Sequence, residues 1–536
     1  MIFLNKREGV AMSYADSKLT ADDHQLITVE IARLTSEFGV REREGYAPDN
    51  CLLSINPANS REIVASFVYN NADQVMENFH QAKKAQYYWG TELQWYKRVQ
   101  VMTDFQREVE KNLHRLTAAV ILETGKSRTE AFAEVQEFID LMKYYLEIYS
   151  SRRGYTLPMM LEDEKHTSSN VVYKPFGVFV AITPFNFPVA MAGMCFGALL
   201  TGNTVVWKPA PETPLTGYLL HACFPPVKNV FNFVVAEEEL FGNVIFSDPE
   251  LVDGVAFTGS TEVGKMLGKK IASQNRRGGV RRFVAEMGGN NPCVITPSAN
   301  MVNAGMGNAR SAFGACAQKC SAEGRAIVHQ SKVDEFIDFV MIAAEQMFTQ
   351  GDPRYSEVTF GPVIHKRAFE AYHQYLNDAM DARAEIIWPR AGTSGLGQHG
   401  TLSKDGYFVE PIIINNLPPD HYLFHKELFA PILRIQPYEG GIEEAVRLAN
   451  DTEYGLTAGI YTQDEQEKKY FFDYIQAGVT YANRVGGATT GAWPGNQAFG
   501  GWKNSGWGTQ HGVCGPNYLW NFVRGQSQYD ATVRTL

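Results

Sequence analysis

Between about residues 171 and 296 the chain alternates short apolar runs with helix-like stretches, and no other feature restricts its fold as much. Val171-Val172-Tyr173 and residues 177 to 182 read as strands, and residues 188 to 200 as a helix of small residues. Thr204-Val205-Val206-Trp207 is a short buried strand, after which Thr213-Pro214 predicts an N-cap and first-position proline of a new helix. Strands follow at residues 230 to 235 and 254 to 257, a helix at 261 to 272, and strands at 283 to 285 and 293 to 296. Short strands without polar alternation, separated by helices, predict a parallel, doubly wound sheet covered on both faces.

A second alternating stretch runs from about 300 to 483, and residues 71 to 149 read as helical. Residues 1 to about 45 are polar without clear periodicity and are expected to wrap over the surface. Near the end, Tyr518-Leu519-Trp520-Asn521-Phe522-Val523 reads as one more strand, which could pair within the chain or on another subunit. No tandem repeat or low-complexity segment occurs.

A chain of 536 residues suggests roughly three domains of about 150 residues each. A net charge of −10 argues against a nucleic-acid surface. The seven cysteines, at 51, 195, 223, 293, 316, 320 and 514, form no disulfide framework and favour a reducing compartment. Cys316 and Cys320 make a lone C-x3-C with no histidine nearby, so neither zinc nor another metal is expected. No apolar run reaches the ~18 to 20 residues of a membrane span. Lys6-Arg7-Glu8-Gly9 can be encoded by purine-rich codons at the spacing of a bacterial ribosome-binding site before Met12, so Met12 is expected as the native start.

Six segments could carry chemistry. Cys320, among the polar Gln318, Lys319 and Ser321, is a candidate nucleophile whose thiolate the lysine would favour, though a cysteine is often only a small buried hydrophobe. Glu286 ends an apolar strand before Gly288-Gly289, where burial could raise its pKa and make it a general base; an exposed strand-end glutamate is the plainer reading. Asn186, in Pro184-Phe185-Asn186-Phe187-Pro188, could supply an oxyanion donor or merely cap a helix. Gly259 and Ser260 lie in a strand-turn-helix junction of the phosphate-binding kind, or in a plain capped turn. Lys208, after Trp207, could reach a ribose hydroxyl or be a surface lysine. Glu427-Leu428-Phe429-Ala430-Pro431 is the fifth segment, and residues 486 to 501, GGATTGAWPGNQAFGG, are the sixth. That loop can turn several backbone N–H groups toward an anion, and Trp493, Pro494 and Phe499 argue against a flexible linker.

In their order along the chain these segments resemble the aldehyde dehydrogenase superfamily over roughly residues 45 to 530. Within it they look most like the 1-pyrroline-5-carboxylate dehydrogenase branch, which oxidises glutamate γ-semialdehyde to glutamate in proline catabolism. The resemblance implies a Rossmann-like cofactor domain (46–150 and 171–288), an α/β catalytic domain (289–483), a small β oligomerisation element (151–170 and 484–536) and an N-terminal arm (1–45). It implies that Cys320 attacks the aldehyde, that Asn186 holds the oxyanion and that Glu286 activates the water that hydrolyses a thioester. Lys208 and Glu427 would hold cofactor riboses, Gly259 and Ser260 the pyrophosphate, and Phe429 the nicotinamide end. Ser321 and the glycine-rich loop would set substrate choice, Gly491 and Ala492 offering backbone N–H groups to the substrate's α-carboxylate and Phe187 and Phe499 flanking its aliphatic chain. NAD is the expected cofactor, with NADP allowed. A homo-oligomer of two or more subunits is expected, in a bacterial cytoplasm or, in a eukaryote, the mitochondrial matrix. The chain has no room for a flavin-binding barrel, so a separate proline dehydrogenase is the expected source of substrate.

Several positions depart from the family. Pro211, followed by Glu212, stands where an acidic residue would bond a ribose 2′-OH, which leaves NAD against NADP open. Ala430, Ala498, Asn290 and Ala317 replace residues common there, and the methyls of Ala317 and Ala430 are expected to tighten the cofactor or substrate path. The nearest rival is the same chemistry on another semialdehyde or an aliphatic aldehyde. A thiol hydrolase would need a histidine base, absent from all six segments, and a non-catalytic binding protein would not need the three catalytic candidates.

Overall fold

The computed structural model describes residues 19–38, 41–42, 50–160, 166–388, 396–485, 493–508 and 511–533. The expected parallel sheet is present. Its strands, in spatial order, are Arg282–Glu286, Gly254–Thr258, Val178–Ile182, Thr204–Lys208 and Phe231–Phe233, all parallel, with Gly506–Trp507 added antiparallel at one edge. Alternate side chains of these strands serve two cores. Phe179, Ala181, Val205, Trp207 and Ala256 face the helices Arg128–Ser151, Gly193–Leu200 and Pro214–Ala222. Val178, Val180, Val206, Val255 and Phe257 pack with residues of the helices Ala72–Tyr87, Glu238–Ser247 and Thr261–Ser273. Burial on both faces is the physical reason these strands are continuously apolar. The chain order reverses between Val178–Ile182 and Gly254–Thr258, so a crevice opens beyond their carboxyl ends.

A second sheet of seven strands runs in the order Glu385–Trp388, Ile412–Asn415, Ile432–Tyr438, Glu323–His329, Asn291–Ile295, Thr457–Tyr461 and Val479–Ala482. Only Glu385–Trp388 is antiparallel to its neighbour. Cys320 precedes Glu323–His329 and Glu427 precedes Ile432–Tyr438, so both sit at the amino ends of this sheet's strands.

Four local expectations are corrected. Tyr518–Phe522 is a 3-10 turn that buries Tyr518, Leu519 and Phe522; the strand is Val523–Val533, and it pairs antiparallel with His166–Pro175 of the same chain. His166–Pro175 also pairs with Thr156–Pro158, so residues 171–175 belong to this small sheet and the division expected at 170/171 falls inside a strand. The supposedly irregular N-terminal segment contains the helix Ala21–Phe38, which buries Ile27, Ile31 and Leu34 along one stripe. Finally, Thr213 makes no capping bond; the Glu123 carboxylate instead accepts the Leu215 and Thr216 N–H groups, at 2.9 and 2.7 Å, and so caps Pro214–Ala222. No described helix is long and apolar enough to cross a membrane.

Candidate active site

Between the two sheets lies a cavity of about 1460 Å³. Asn186, Phe187, Lys208, Gly259, Ser260, Cys320, Ser321, Glu427, Phe429 and Phe499, ten positions expected from the sequence, all line it. Gly491 and Ala492 lie outside the described residues.

Cys320 follows a sharply turned segment in which Ala315, Cys316 and Ala317 all have left-handed backbone, with φ of 52°, 53° and 55°. Such backbone costs about 1 kcal/mol or more per residue and persists only where neighbours hold it. Here the Ala315 N–H donates to Glu130 Oε1 at 2.6 Å, and Gln318 Oε1 accepts the Ile364 N–H at 2.9 Å. Asn291 Nδ2 donates to the carbonyls of Cys320 and Ala322, each at 2.7 Å, locking the turn that presents the thiol. Burial pushes the Cys320 thiol up to about 12, helped by the Glu427 and Glu286 carboxylates and opposed by the N–H groups of Ser321 and Cys320. The expected help from Lys319 is not what dominates. Burial lowers that lysine to about 8, and the strongest opposing charge on it is Glu130 rather than the thiol.

Glu286 lies just behind the lining, at the carboxyl end of Arg282–Glu286, and its charge reaches Cys320. It is 5% exposed, and its Oε2 is buried without a hydrogen-bond partner among the described residues. Burial holds its carboxyl well above the usual carboxylate range, opposed only by the Gly501 N–H. The bland reading of an exposed strand-end glutamate is therefore wrong for this residue. Asn186 is not a helix cap either. Its Nδ2 donates one hydrogen to the Gln318 carbonyl at 2.9 Å, and among the described residues no partner takes the second.

Toward the first sheet, Ser260 caps Thr261–Ser273 by accepting the Val263 N–H at 3.3 Å, and the Gly259 N–H donates to the Glu286 carbonyl at 3.2 Å. Lys208, 5% exposed, ends its strand in the cavity, and its ammonium makes no hydrogen bond among the described residues. Glu427 Oε1 accepts the Gly289 N–H at 2.9 Å, and burial raises its carboxyl to about 7. A Cβ on Gly288 would lie 2.0 Å from Glu427 Oε2, so a side chain there would push the carboxylate aside. Phe429 sits edge-on to Phe185, ring centroids 6.0 Å apart.

Sequence reasoning missed the support under Asn186 and Phe187. Glu134 is fully buried in Arg128–Ser151. Its Oε1 accepts the N–H groups of Val189 and Ala190 at 2.8 and 3.2 Å, and its Oε2 pairs with Lys126 Nζ at 2.7 Å. The same Lys126 Nζ lies 3.8 Å from the centroid of Phe187. The available signal was a charged residue inside the apolar-periodic run that begins near Ala133. The expected tightening by Ala317 and Ala430 does not occur, because neither lines the cavity; both methyls are buried beside it. Asn290 is likewise structural: it bonds the Phe424 carbonyl and Arg434. His24 and His365 line the cavity, but neither is among the main influences on Cys320, as a hydrolase base would be. Among the described residues, no group of three or more His, Cys, Asp or Glu could hold a metal.

The model of the aldehyde dehydrogenase family matches residues 46–523. The chain belongs to this family. Among relatives, it is 32% identical over 489 residues to a 1-pyrroline-5-carboxylate dehydrogenase of Bacillus licheniformis, covering 90% of each chain. A 1-pyrroline-5-carboxylate dehydrogenase from Thermus, solved with bound NAD, superposes with a TM-score of 0.84 at 25% identity, over 96% of this chain and 98% of that one. Proline utilization A of Bdellovibrio bacteriovorus superposes with a TM-score of 0.86 at 26% identity, over 96% of this chain but 52% of the larger protein. As an aldehyde dehydrogenase the chain is an NAD(P)-dependent oxidoreductase acting on an aldehyde.

Proposed function

We propose that this chain oxidises glutamate γ-semialdehyde, the open form of 1-pyrroline-5-carboxylate, to glutamate, using NAD. The observation that carries the reading is the convergence of Cys320, Asn186, Ser321, Phe187 and Phe499 on one cavity, in a chain whose curated relatives bear that enzyme's name. Cys320 Sγ attacks the aldehyde carbon, and the oxygen becomes an alkoxide held by the free Asn186 amide hydrogen and the Cys320 N–H. Phe187 and Phe499 flank the aliphatic chain, while Ser321 and the loop containing Gly491 and Ala492 take the α-carboxylate. The cofactor fits the cavity's other end: Lys208 offers an ammonium without a hydrogen bond among the described residues and Glu427 a carboxylate to the riboses, Gly259 and Ser260 head a helix N-terminus suited to the pyrophosphate, and Phe429 bounds the nicotinamide. When bound, NAD supplies the hydride acceptor that converts the cysteine adduct to a thioester. Glu286 then takes a proton from water, whose oxygen attacks the thioester carbon and releases the Cys320 thiolate with glutamate.

The chain acts in the cytoplasm as a homo-oligomer of at least two subunits, and a proline dehydrogenase activity supplies its substrate. The test is steady-state kinetics with 1-pyrroline-5-carboxylate and short aldehydes, NAD and NADP in parallel. The expected kcat/KM for 1-pyrroline-5-carboxylate exceeds that for propanal by at least about 100-fold, since a bound carboxylate contributes several kcal/mol. Equal efficiency would defeat the substrate assignment. Glu286→Gln should release about one equivalent of NADH per site and then stall, whereas Cys320→Ala should release none.

A further inference from the structure

We propose that the helix Ala21–Phe38 walls the entrance by which the aldehyde reaches Cys320, and that Leu19 and His24 set the girth of what passes. The helix lies ahead of residues 46–523, the part that matches the family. It is clasped from two other helices. Asp23 Oδ1 lies 2.8 Å from His114 Nε2, and Arg115 pairs with Glu30 and Glu37 at 3.3 and 2.7 Å. Buried Arg128 donates to the His24 carbonyl at 2.7 Å and to Thr28 Oγ1 at 2.9 Å, and its Nε donates to the Arg354 carbonyl at 3.2 Å. One guanidinium therefore ties the N-terminal helix to the segment that carries Met347, Phe348 and Thr359. Leu19, His24 and those three residues all line the cavity. Leu19 and His24 are also half-exposed, so the cavity meets solvent beside them.

One face of Arg128–Ser151 leads from this end toward the thiol. Ser127, Glu130, Ala133 and Glu137 recur at the three- and four-residue spacing of a single helix face, and all four line the cavity. Such a stripe is about 15 Å long at the rise of an α-helix. A Cβ on Gly314 would lie 2.9 Å from Lys319 Nζ and 3.6 Å from Glu130 Oε1, so the residue next to Cys320 stands over the first turn of the stripe. Gly314 and Lys319 line the cavity as well. The inference rests on the placement of the dinucleotide at the Lys208 and Ser260 end. Bound there, it fills that approach to Cys320, and the aldehyde comes in past Leu19 and His24. A slender, flexible γ-semialdehyde passes such an opening, whereas a polycyclic aromatic is held back.

The experiment alkylates Cys320 of the full chain with iodoacetamide and with the bulkier pyrenylmaleimide under saturating NAD, following each rate at that residue by peptide mass spectrometry. The NAD dissociation constant is measured by calorimetry on the same proteins. In the wild type iodoacetamide should still react with NAD bound. The double variant Leu19→Ala, His24→Ala should speed pyrenylmaleimide at least about fivefold, with iodoacetamide and NAD affinity each within about twofold of wild type; Leu19→Trp should slow pyrenylmaleimide by a similar factor. An unchanged ratio of the two rates in both variants, or a wild-type thiol that NAD closes to iodoacetamide, overturns the inference. Equal acceleration of both reagents overturns it too, since that marks a helix that only steadies the fold, and so does a changed NAD affinity, which would put Leu19 and His24 at the cofactor end. Alkylation is blind to which aldehyde is oxidised, so a failed substrate assignment leaves this test readable. A wild type that binds no NAD overturns the placement of the dinucleotide, and this inference with it.

Discussion

Replacing Glu134 by Gln should show how much of the active site depends on a buried pair remote from the chemistry. At 2.7 Å the Lys126–Glu134 pair has a gross attraction of about 6 kcal/mol in a medium of effective dielectric ~20, most of it offset by desolvation of both ions. Removing one charge forfeits the attraction but keeps the desolvation of the other, so breaking such a pair costs about 3 to 5 kcal/mol. Glu134→Gln retains a carbonyl oxygen for the Val189 and Ala190 N–H groups, and its expected cost lies near the lower figure. Lys126→Met leaves a carboxylate still solvated by two N–H donors and should cost about 2 kcal/mol. In the double variant no orphaned charge remains, so its cost should fall below the sum of the singles by at least about 2 kcal/mol. The assay is urea unfolding followed by tryptophan fluorescence, taking the first transition, with kcat and KM measured on each variant. Because the hold on residues 187 to 190 is loosened rather than removed, kcat should fall severalfold, with KM changing less. Additive singles, or a Glu134→Gln cost under about 1 kcal/mol, would refute the reasoning.

Cys320 in the free protein should alkylate slowly with iodoacetamide at neutral pH, and the rate should climb about tenfold per pH unit without a plateau below about pH 11, because burial raises the thiol to about 12; a plateau near pH 8, followed by peptide mass spectrometry, contradicts this. Gly288→Ala places a methyl against Glu427 and should raise the NAD dissociation constant about tenfold, roughly 1.4 kcal/mol, in a calorimetric titration; an unchanged constant removes Glu427 from the cofactor site. Glu123→Ala removes the acceptor for Ser54 Oγ and for two helix N–H groups, all buried, and should destabilise the chain by about 3 kcal/mol in the same urea assay; a cost below 1 kcal/mol would mean water replaces the carboxylate.

Much of the architecture was legible locally. Strands such as Thr204–Lys208 and Gly254–Thr258 are buried on both faces, so all but the terminal Lys208 are apolar or small, and that leaves a mark in the sequence. Val523–Val533 left none, because its side chains are mostly exposed and its pairing is carried by backbone hydrogen bonds. The apolar cluster just before it read as a strand, although Tyr518, Leu519 and Phe522 reach the core from a helical turn. The Ala21–Phe38 stripe was missed because only three of its residues are buried, while Leu26 and Val29 are exposed and blur the period.

By itself, the sequence determined the α/β class, the alternation of the sheets and the residue types available for chemistry, since these follow from local pattern and composition. Only the tertiary structure decided that the charge of Glu286, at the end of one sheet, acts on Cys320, just ahead of a strand of the other, that Glu286 is enclosed rather than exposed, and that Glu134 and Lys126 hold the Asn186 segment in place. Desolvation and orientation depend on what closes over a side chain from other parts of the chain, and no local pattern records that.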